Sequence, residues 1–465
     1  MVIGEPLPFM QTYISKLSTN LERRRPGSGL TVGRKAWLGF ALLGILITQS
    51  VCWQKWVRAG LGQYSQALLS WYFLCPLCWD LLLAMSVRVV LESFATWEGV
   101  LVVDDTGKKR AKVTKRIPYV HYFKNKAGTG SIRGQEIVFL VLVTPCVTIP
   151  VAFAFYQPDP AYSEWAKQDK RLKRQGVPKS KRPRSPGPNA RYPNKQQLAL
   201  ELLAQFALEH PQVRVNAVLA AALYGSAAFM AQAVRLFRTV QVISQLRSNQ
   251  KVRYRGRSWS VRGVAQTVTI RGGETIELLV GSARLYVEAQ GVKCFVVAVR
   301  YPDAPEYRYL VASDLSWRTL DIVQAYTLRW LVEVCIEDLK VYEGWGQATK
   351  QPGVEGSSRG LILSLLCDHC LLLHPEQQAL VARQEPLSTI GSLQRYLQAE
   401  SFVAWLRTWL AEETLADKVD QLARMIRPLF PLEPSKKHMH ARAMGRLEPT
   451  PSLKYRALPA QVSAY

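Results

Sequence analysis

Hydrophobic positions change their period several times along the chain. Through residues 1–96 apolar side chains recur at helical spacing, which predicts a mainly helical N-terminal region. The run from Trp37 to Trp53 is nearly all apolar. It falls short of the roughly 20 residues a spanning helix needs, holds Gly39, Gly44, Thr48 and Gln49, and continues into Lys55 and Arg58. It reads as a core helix rather than a membrane span. From Val100 the period shortens. Val100–Val103 reads as a short buried strand ending in Asp104-Asp105-Thr106-Gly107, and Gln135–Thr144 and Val147–Tyr156 read as antiparallel strands either side of Pro145.

A helix is expected from Asn194 to His210, a strand over Val213–Leu219, a helix through Phe237 and a strand over Val240–Ser244, which is a βαβ arrangement. Residues 247–316 read as an all-β section. Its strands are Arg253–Arg257, Val268–Arg271, Thr275–Val280, Val292–Val299 and Tyr307–Ala312, with Gly and Pro between them. Helical periodicity returns after 317, with Leu361–Leu373 apolar, and continues over 376–430. A Pro-, Lys- and Arg-rich tail follows from about 432. The fold class is α/β, with boundaries near 97, 247, 317 and 376.

Tyr326 to Lys340 contains no Pro or Gly and reads as one amphipathic helix. Tyr326, Arg329, Glu333 and Lys340 fall within roughly 60° of one another, forming an ionic line on a helix about 20 Å long. Charged residues three and four apart also mark any solvated helix face.

Charge alters the picture more than composition does. The 465 residues are 48% hydrophobic and 20% charged, as in a globular protein, but the net charge is +25 and the pI is near 9.8. That excess points to a polyanion, nucleic acid first and an acidic membrane surface second. Residues 157–195 concentrate it. Lys170, Arg171, Lys173, Arg174, Lys181 and Arg182 stand among prolines, so a disordered or extended loop contacting DNA backbone is expected. Arg253, Arg255 and Arg257 add a second basic patch.

Eight cysteines without a secretory leader predict a reducing compartment. The pairs Cys75/Cys78 and Cys367/Cys370 lie in Leu- and Trp-rich helical segments and read as buried structural cysteines rather than zinc ligands.

The spacing Tyr326-x2-Arg329-x3-Glu333-x6-Lys340 resembles the signature of the cut-and-paste DDE transposases of bacterial insertion sequences, the group named for its Y-R-E-K motif. The resemblance extends in ordered blocks over residues 100–355. It implies a ribonuclease-H-like core with an all-β insertion, preceded by a helical region that recognises DNA ends. It also implies an expected setting on bacterial DNA in the cytoplasm, no membrane, and a homodimer on transposon terminal repeats and target DNA.

The chemistry implied is in-line attack on a phosphodiester, first by water and then by a DNA 3′-hydroxyl. Two Mg²⁺ or Mn²⁺ ions about 3.5–4 Å apart assist it, held by oxygen ligands. The resemblance places the first carboxylate at Asp104, with Asp105 its rival, and the last at Glu333, with Glu337 its rival. Both Asp104 and Glu333 would be metal ligands. Asp104-Asp105-Thr106-Gly107 also has turn chemistry, although two adjacent acids stand out in so basic a chain.

The second carboxylate is expected just before Ala222-Leu-Tyr-Gly225, and the residue there is Ala221. Asp314, at the end of a later strand, comes at the wrong place in the chain. The sequence therefore implies a transposase inactive as written, through engineering or natural decay, or a non-catalytic DNA-binding derivative.

By resemblance Tyr326 and Arg329 would contact phosphate near the cut and help hold a flipped base or hairpin, and Lys340 would contact the backbone of the transposon end. Arg suits bidentate phosphate binding and Lys a point contact. Trp259, Tyr254 and Trp317 are candidates to stack on a displaced base, with core packing favoured for each singly.

Overall fold

The computed structural model describes residues 5–59, 64–110, 116–124, 129–238, 240–262, 279–300, 305–346, 353–410 and 420. The strand expected over Val268–Arg271, most of that over Thr275–Val280 and the tail from 432 lie outside the described residues.

Five helices open the chain: α1 (Pro8–Arg24), α2 (Val32–Thr48), α3 (Trp53–Ala59), α4 (Gln66–Leu74) and α5 (Trp79–Ser93). In α2 the side chains from Trp37 to Ile47 are buried on every side, so the apolar run serves protein packing. Among the described residues no single helix is long and apolar enough to cross a membrane; three bent helix pairs, α2 with α3 among them, reach the length and composition only together.

The strands β1 (Glu98–Lys109), β2 (His121–Lys124), β3 (Ser131–Val143), β4 (Thr148–Tyr156), β5 (Arg214–Ala220) and β6 (Gln241–Leu246) form the heart of one sheet. β4 and β2 pair the same side of β3, which pairs β1 antiparallel; β1 runs parallel to β5, and β5 to β6. The order β4-β3-β1-β5-β6, with its first three strands antiparallel and the rest parallel, is that of a ribonuclease-H-like core.

The helices α7 (Lys195–Glu209) and α8 (Ala227–Leu236) supply the βαβ crossings. Asn194 caps α7 in a reciprocal capping box with Gln197. The all-β section lies in the same sheet. β11 (Arg308–Ala312) pairs β6, followed outward by β10 (Val292–Arg300), β9 (Leu279–Val287), β7 (Lys251–Tyr254) and β8 (Arg257–Ser260), giving 11 strands among the described residues. The stretch expected as one strand at Arg253–Arg257 instead ends β7, turns at Arg255-Gly256 and opens β8. Arg255 and Gly256 both have positive φ, the geometry that turns a tight hairpin.

Helices cover both faces of the sheet. On the front lie α9 (Thr319–Thr327), α10 (Leu331–Val341), α11 (Gly353–Leu372) and α13 (Ile390–Leu410), with the N-terminal helices packed into the same cluster; α12 (Pro375–Ala382) follows α11. On the back lie α7 and α8. A buried chain of hydrogen bonds ties the N-terminal region to the core. Tyr13 Oη meets Ser86 Oγ at 2.6 Å, Ser86 Oγ meets His369 Nδ1 at 2.7 Å, and His369 Nε2 donates to the Pro150 carbonyl at 2.9 Å.

Three local expectations are corrected. β1 does not end at Asp104 but runs on to Lys109, because β3 is long enough to pair it as far as Lys109↔Gly134, so Asp104-Asp105-Thr106-Gly107 is strand and not turn. The stretch Tyr326–Lys340 is helical throughout but not one α-helix: a 3-10 turn at Leu328–Trp330 separates α9 from α10.

The basic segment is also more ordered than its charge suggests. More than a third of it is the helix α6 (Pro160–Arg174), none of whose residues is buried. Asp159 caps it, Pro160 fits its first turn, and Arg171, Lys173 and Arg174 sit at the C-terminal end, where the helix dipole favours cations. The chain after α6 folds back on it. Trp165 Nε1 donates to the Pro183 carbonyl at 2.8 Å and Arg182 pairs with Asp169 at 2.9 Å.

Candidate functional site

Alternation along β1 decides what each acid meets. Val100 and Val102 join the front cluster, Leu101 and Val103 the back one. Continuing the period sends Asp104, Thr106 and Lys108 to the front, beneath α10, and Asp105 to the back, beneath α7. The cross-strand partners agree: Asp104 pairs Phe139 of the front cluster, and Asp105 pairs Val138 of the back one.

On the front, Arg329 Nη1 donates to Asp104 Oδ2 at 2.7 Å and its Nη2 to Glu333 Oε1 at 2.6 Å. One guanidinium thus bridges the two predicted carboxylates. The 3-10 turn delivers it, because Arg329 lies in that turn and Glu333 in the first turn of α10. Asp104 also accepts from the backbone N–H of Asp105 at 2.8 Å.

Arg329 sits 5.8 Å from the centre of the Tyr326 ring, and burial pushes the Tyr326 hydroxyl up to about 12. Lys340 Nζ donates to Thr106 Oγ1 at 2.7 Å, so Lys340 and Arg329 reach side chains of β1 directly, while Glu333 and Tyr326 meet Arg329. Glu337 is exposed on the same helix.

Ala221 follows β5 directly, and its methyl packs against the back cluster. Ala220, the last residue of β5, pairs Val103, so the next position adjoins Asp104. Ala221 is half-buried and its carbonyl accepts from Ser244 Oγ at 3.1 Å. Asp314 sits at the end of β11, where its backbone N–H and carbonyl are bound by the Gln241 side chain at 2.8 and 3.1 Å.

The back face holds an assembly that no sequence spacing announced. Lys195 Nζ donates to Asp105 Oδ2 at 2.7 Å and to Glu136 Oε1 at 2.6 Å. Glu136 Oε2 meets His121 Nε2 at 2.9 Å, and His121 Nδ1 donates to the Tyr119 carbonyl at 2.9 Å. Burial would raise the Glu136 carboxyl, but the bonds from His121 and Lys195 outweigh it and hold the group below its ordinary range. Burial would lower the Lys195 ammonium, and the Asp105 and Glu136 carboxylates outweigh that and raise it.

The remaining predicted DNA contacts lie apart from this centre. Arg253 and Arg255 stack on Tyr286 and Tyr254 at 4.9 and 5.2 Å, and Arg257 opens β8. At about 4.8 Å per strand, the hairpin is roughly 30 Å across the sheet from β1. Lys170, Arg171, Lys173 and Arg174 lie on α6, with Lys181 and Arg182 just beyond it. Trp259 is exposed on β8, Tyr254 is half-buried, and Trp317 packs against the front cluster.

Among the described residues no group of three His, Cys, Asp or Glu side chains is assembled to hold a metal. The donor set at the front explains this. It has two carboxylates, and a guanidinium already joins them. Two hard divalent ions need more oxygen than that, so the residues present do not fit the pair of ions the resemblance implies. The cysteines are free thiols. Cys367 and Cys370 are buried in α11, where burial pushes both thiols up.

The sheet order is that of a ribonuclease-H-like core. Comparison with known families agrees. Residues 72–262, less than half of the chain, match the family described as DDE superfamily endonuclease. The match takes in Asp104 and Ala221 and ends before α9 and Glu333. No curated protein matches the chain.

Proposed function

We propose that this protein is a transposase of the DDE type, of the Y-R-E-K insertion-sequence group, built to grip transposon ends and target DNA as a dimer. Its cleavage and strand-transfer centre is stopped at Ala221. One observation carries the reading: Asp104 and Glu333, 229 positions apart in sequence as counted from their numbers (333 − 104), meet on one arginine, with Ala221 at the adjoining strand end. The likeness to DDE superfamily endonucleases over residues 72–262 supports the nuclease part. The net charge of +25 and the two basic platforms support DNA as the partner.

Of the two acids on β1, Asp104 is the ligand candidate because it faces Glu333. The chain as it stands acts as a DNA-binding protein, since the front centre has no third carboxylate and Arg329 already bridges the two it has.

The test restores the missing group. Ala221→Asp, incubated with candidate element ends and Mg²⁺ or Mn²⁺, is expected to cut DNA, while the parent binds the same ends without cutting. Asp104→Asn added to Ala221→Asp should return cleavage to background. Cleavage by the parent, or an inert Ala221→Asp that still binds the ends, would sink the assignment of position 221.

A further inference from the structure

The face that β1 turns toward α10 does not end with its carboxylate. Two and four residues beyond Asp104 come Thr106 and Lys108, and Lys108 is only 5% exposed. The Lys108 ammonium makes no ion pair or hydrogen bond among the described residues. Its ammonium lies 5.3 Å from the centre of the Trp345 ring, and the Lys340 ammonium lies 5.6 Å from the same ring. Arg110, also 5% exposed, donates to Gln135 Oε1 at 2.8 Å. The indole N–H of Trp345, itself 3% exposed, donates to nothing among the described residues.

Cations of like sign gathered out of water are costly without an anion, and a buried N–H without an acceptor adds to the cost. Burial first, then the charges of Arg110 and Lys340, drive the Lys108 ammonium well below the ordinary lysine range. Burial alone brings Arg110 down to about 10. A methionine or leucine at 108 would fill the same space against Trp345 without this penalty. The groups that converge here are donors, and they are the donors that recognise a phosphate oxygen. Four residues of extended strand put Lys108 about 13 Å from Asp104, along the same face and under the same helix.

We infer that Lys108, Arg110, Lys340 and the indole N–H of Trp345 form a pocket for one backbone phosphate of bound DNA, a short way along the strand from the phosphate that Asp104 faces. The pocket rests on the DNA-binding reading above and adds to it a fixed register. It holds the strand at a point away from the carboxylates, so the DNA is positioned by a contact that survives whatever happens at Ala221.

The test measures binding of the full chain to a short random-sequence duplex over a salt series, for the parent and for Lys108→Met. Each phosphate neutralised contributes about 0.9 to the slope of log affinity against log salt. The variant should flatten the slope by about that amount and weaken binding roughly tenfold at low salt, the lower end for a bond to a charged group. Without DNA its thermal unfolding should match or exceed the parent's, because an apolar side chain replaces a buried cation.

A steep parent slope that Lys108→Met leaves unchanged refutes the pocket and leaves the DNA reading standing. A parent that does not bind duplex DNA refutes both. If Lys108→Met unfolds early, Lys108→Arg must recover the parent's slope, and failure to do so refutes the pocket.

Discussion

On the front of β1, Asp104 shares Arg329 with a Glu333 whose side chain is 59% exposed; on the back, Asp105 shares Lys195 with a Glu136 that is 14% exposed. Both are two carboxylates on one cation, one residue apart on the same strand. The back assembly is closed: Lys195 serves both acids, His121 serves Glu136 from the other side, and the Tyr156 ring covers the ammonium at 5.3 Å. The front assembly is open to water at Glu333. A strand that must present one acid to a ligand and bury the next without loss needs both arrangements. The comparison teaches that adjacency in sequence says nothing about shared duty once the residues lie on a pleated strand.

The comparison breaks most readily at Lys195. Replacing it with methionine leaves Asp105 and Glu136 facing each other across a buried space with only His121 to compensate. Breaking a buried pair from one side costs about 3–5 kcal/mol, and a denaturant titration should show a loss in that range. A loss below about 1 kcal/mol, the scale of an exposed pair, would mean that the network is solvated and that the two faces do not differ as described.

A smaller effect is expected on the front. Arg329→Gln removes the cation from Asp104 and Glu333, but Glu333 is mostly in water and contributes little. What remains is the partly buried Asp104, so a loss of about 1–2 kcal/mol is expected. The ratio of the two losses matters more than either alone. Equal losses from Lys195→Met and Arg329→Gln would show the front to be as structural as the back.

The sequence carried the front of the site and almost nothing of the back. Tyr326, Arg329, Glu333 and Lys340 could be placed on one face because a helical period is regular, and the 3-10 turn that interrupts it rotates the line too little to scatter them. Asp104 and Ala221 could be aligned because each follows an apolar run, and the parallel pairing of β1 with β5 sets those two runs side by side. Lys195, Glu136 and His121 had no such signal. Lys195 lies 90 residues from Asp105 and 59 from Glu136, and only the packing of α7 on the sheet joins them.

Lys108 was hidden for a different reason. Asp104-Asp105-Thr106-Gly107 has the composition of a turn, and its extension as strand depends on the length of β3, the partner that pairs it. The helix α6 was hidden by its charge, since the cap at Asp159 and the acids at Glu164 and Asp169 offset a composition that by itself argues for disorder.

The smallest effect, and the most specific to the back face, is in the response to acid. Against the opposing pull of burial, His121 and Lys195 hold Glu136 below its ordinary value of 4.5 in the folded chain. A carboxylate depressed on folding contributes stability that is fully present above its unfolded value and is lost as pH falls through its folded one. Lys195, raised above 10.5, contributes in the opposite sense: its share is full below that value and is lost as pH rises through the raised one. The network is therefore intact across the neutral range and yields at both ends.

Glu136→Gln removes the acid limb. The parent should be the more stable protein at neutral pH, and its advantage over Glu136→Gln should shrink as pH falls below 4.5. Unfolding midpoints measured for both proteins across that window decide the point. A difference that stays constant with pH would mean that Glu136 is held by its shape and hydrogen bonds rather than by its charge. The back of β1 would then lose the ionic character that sets it against the front.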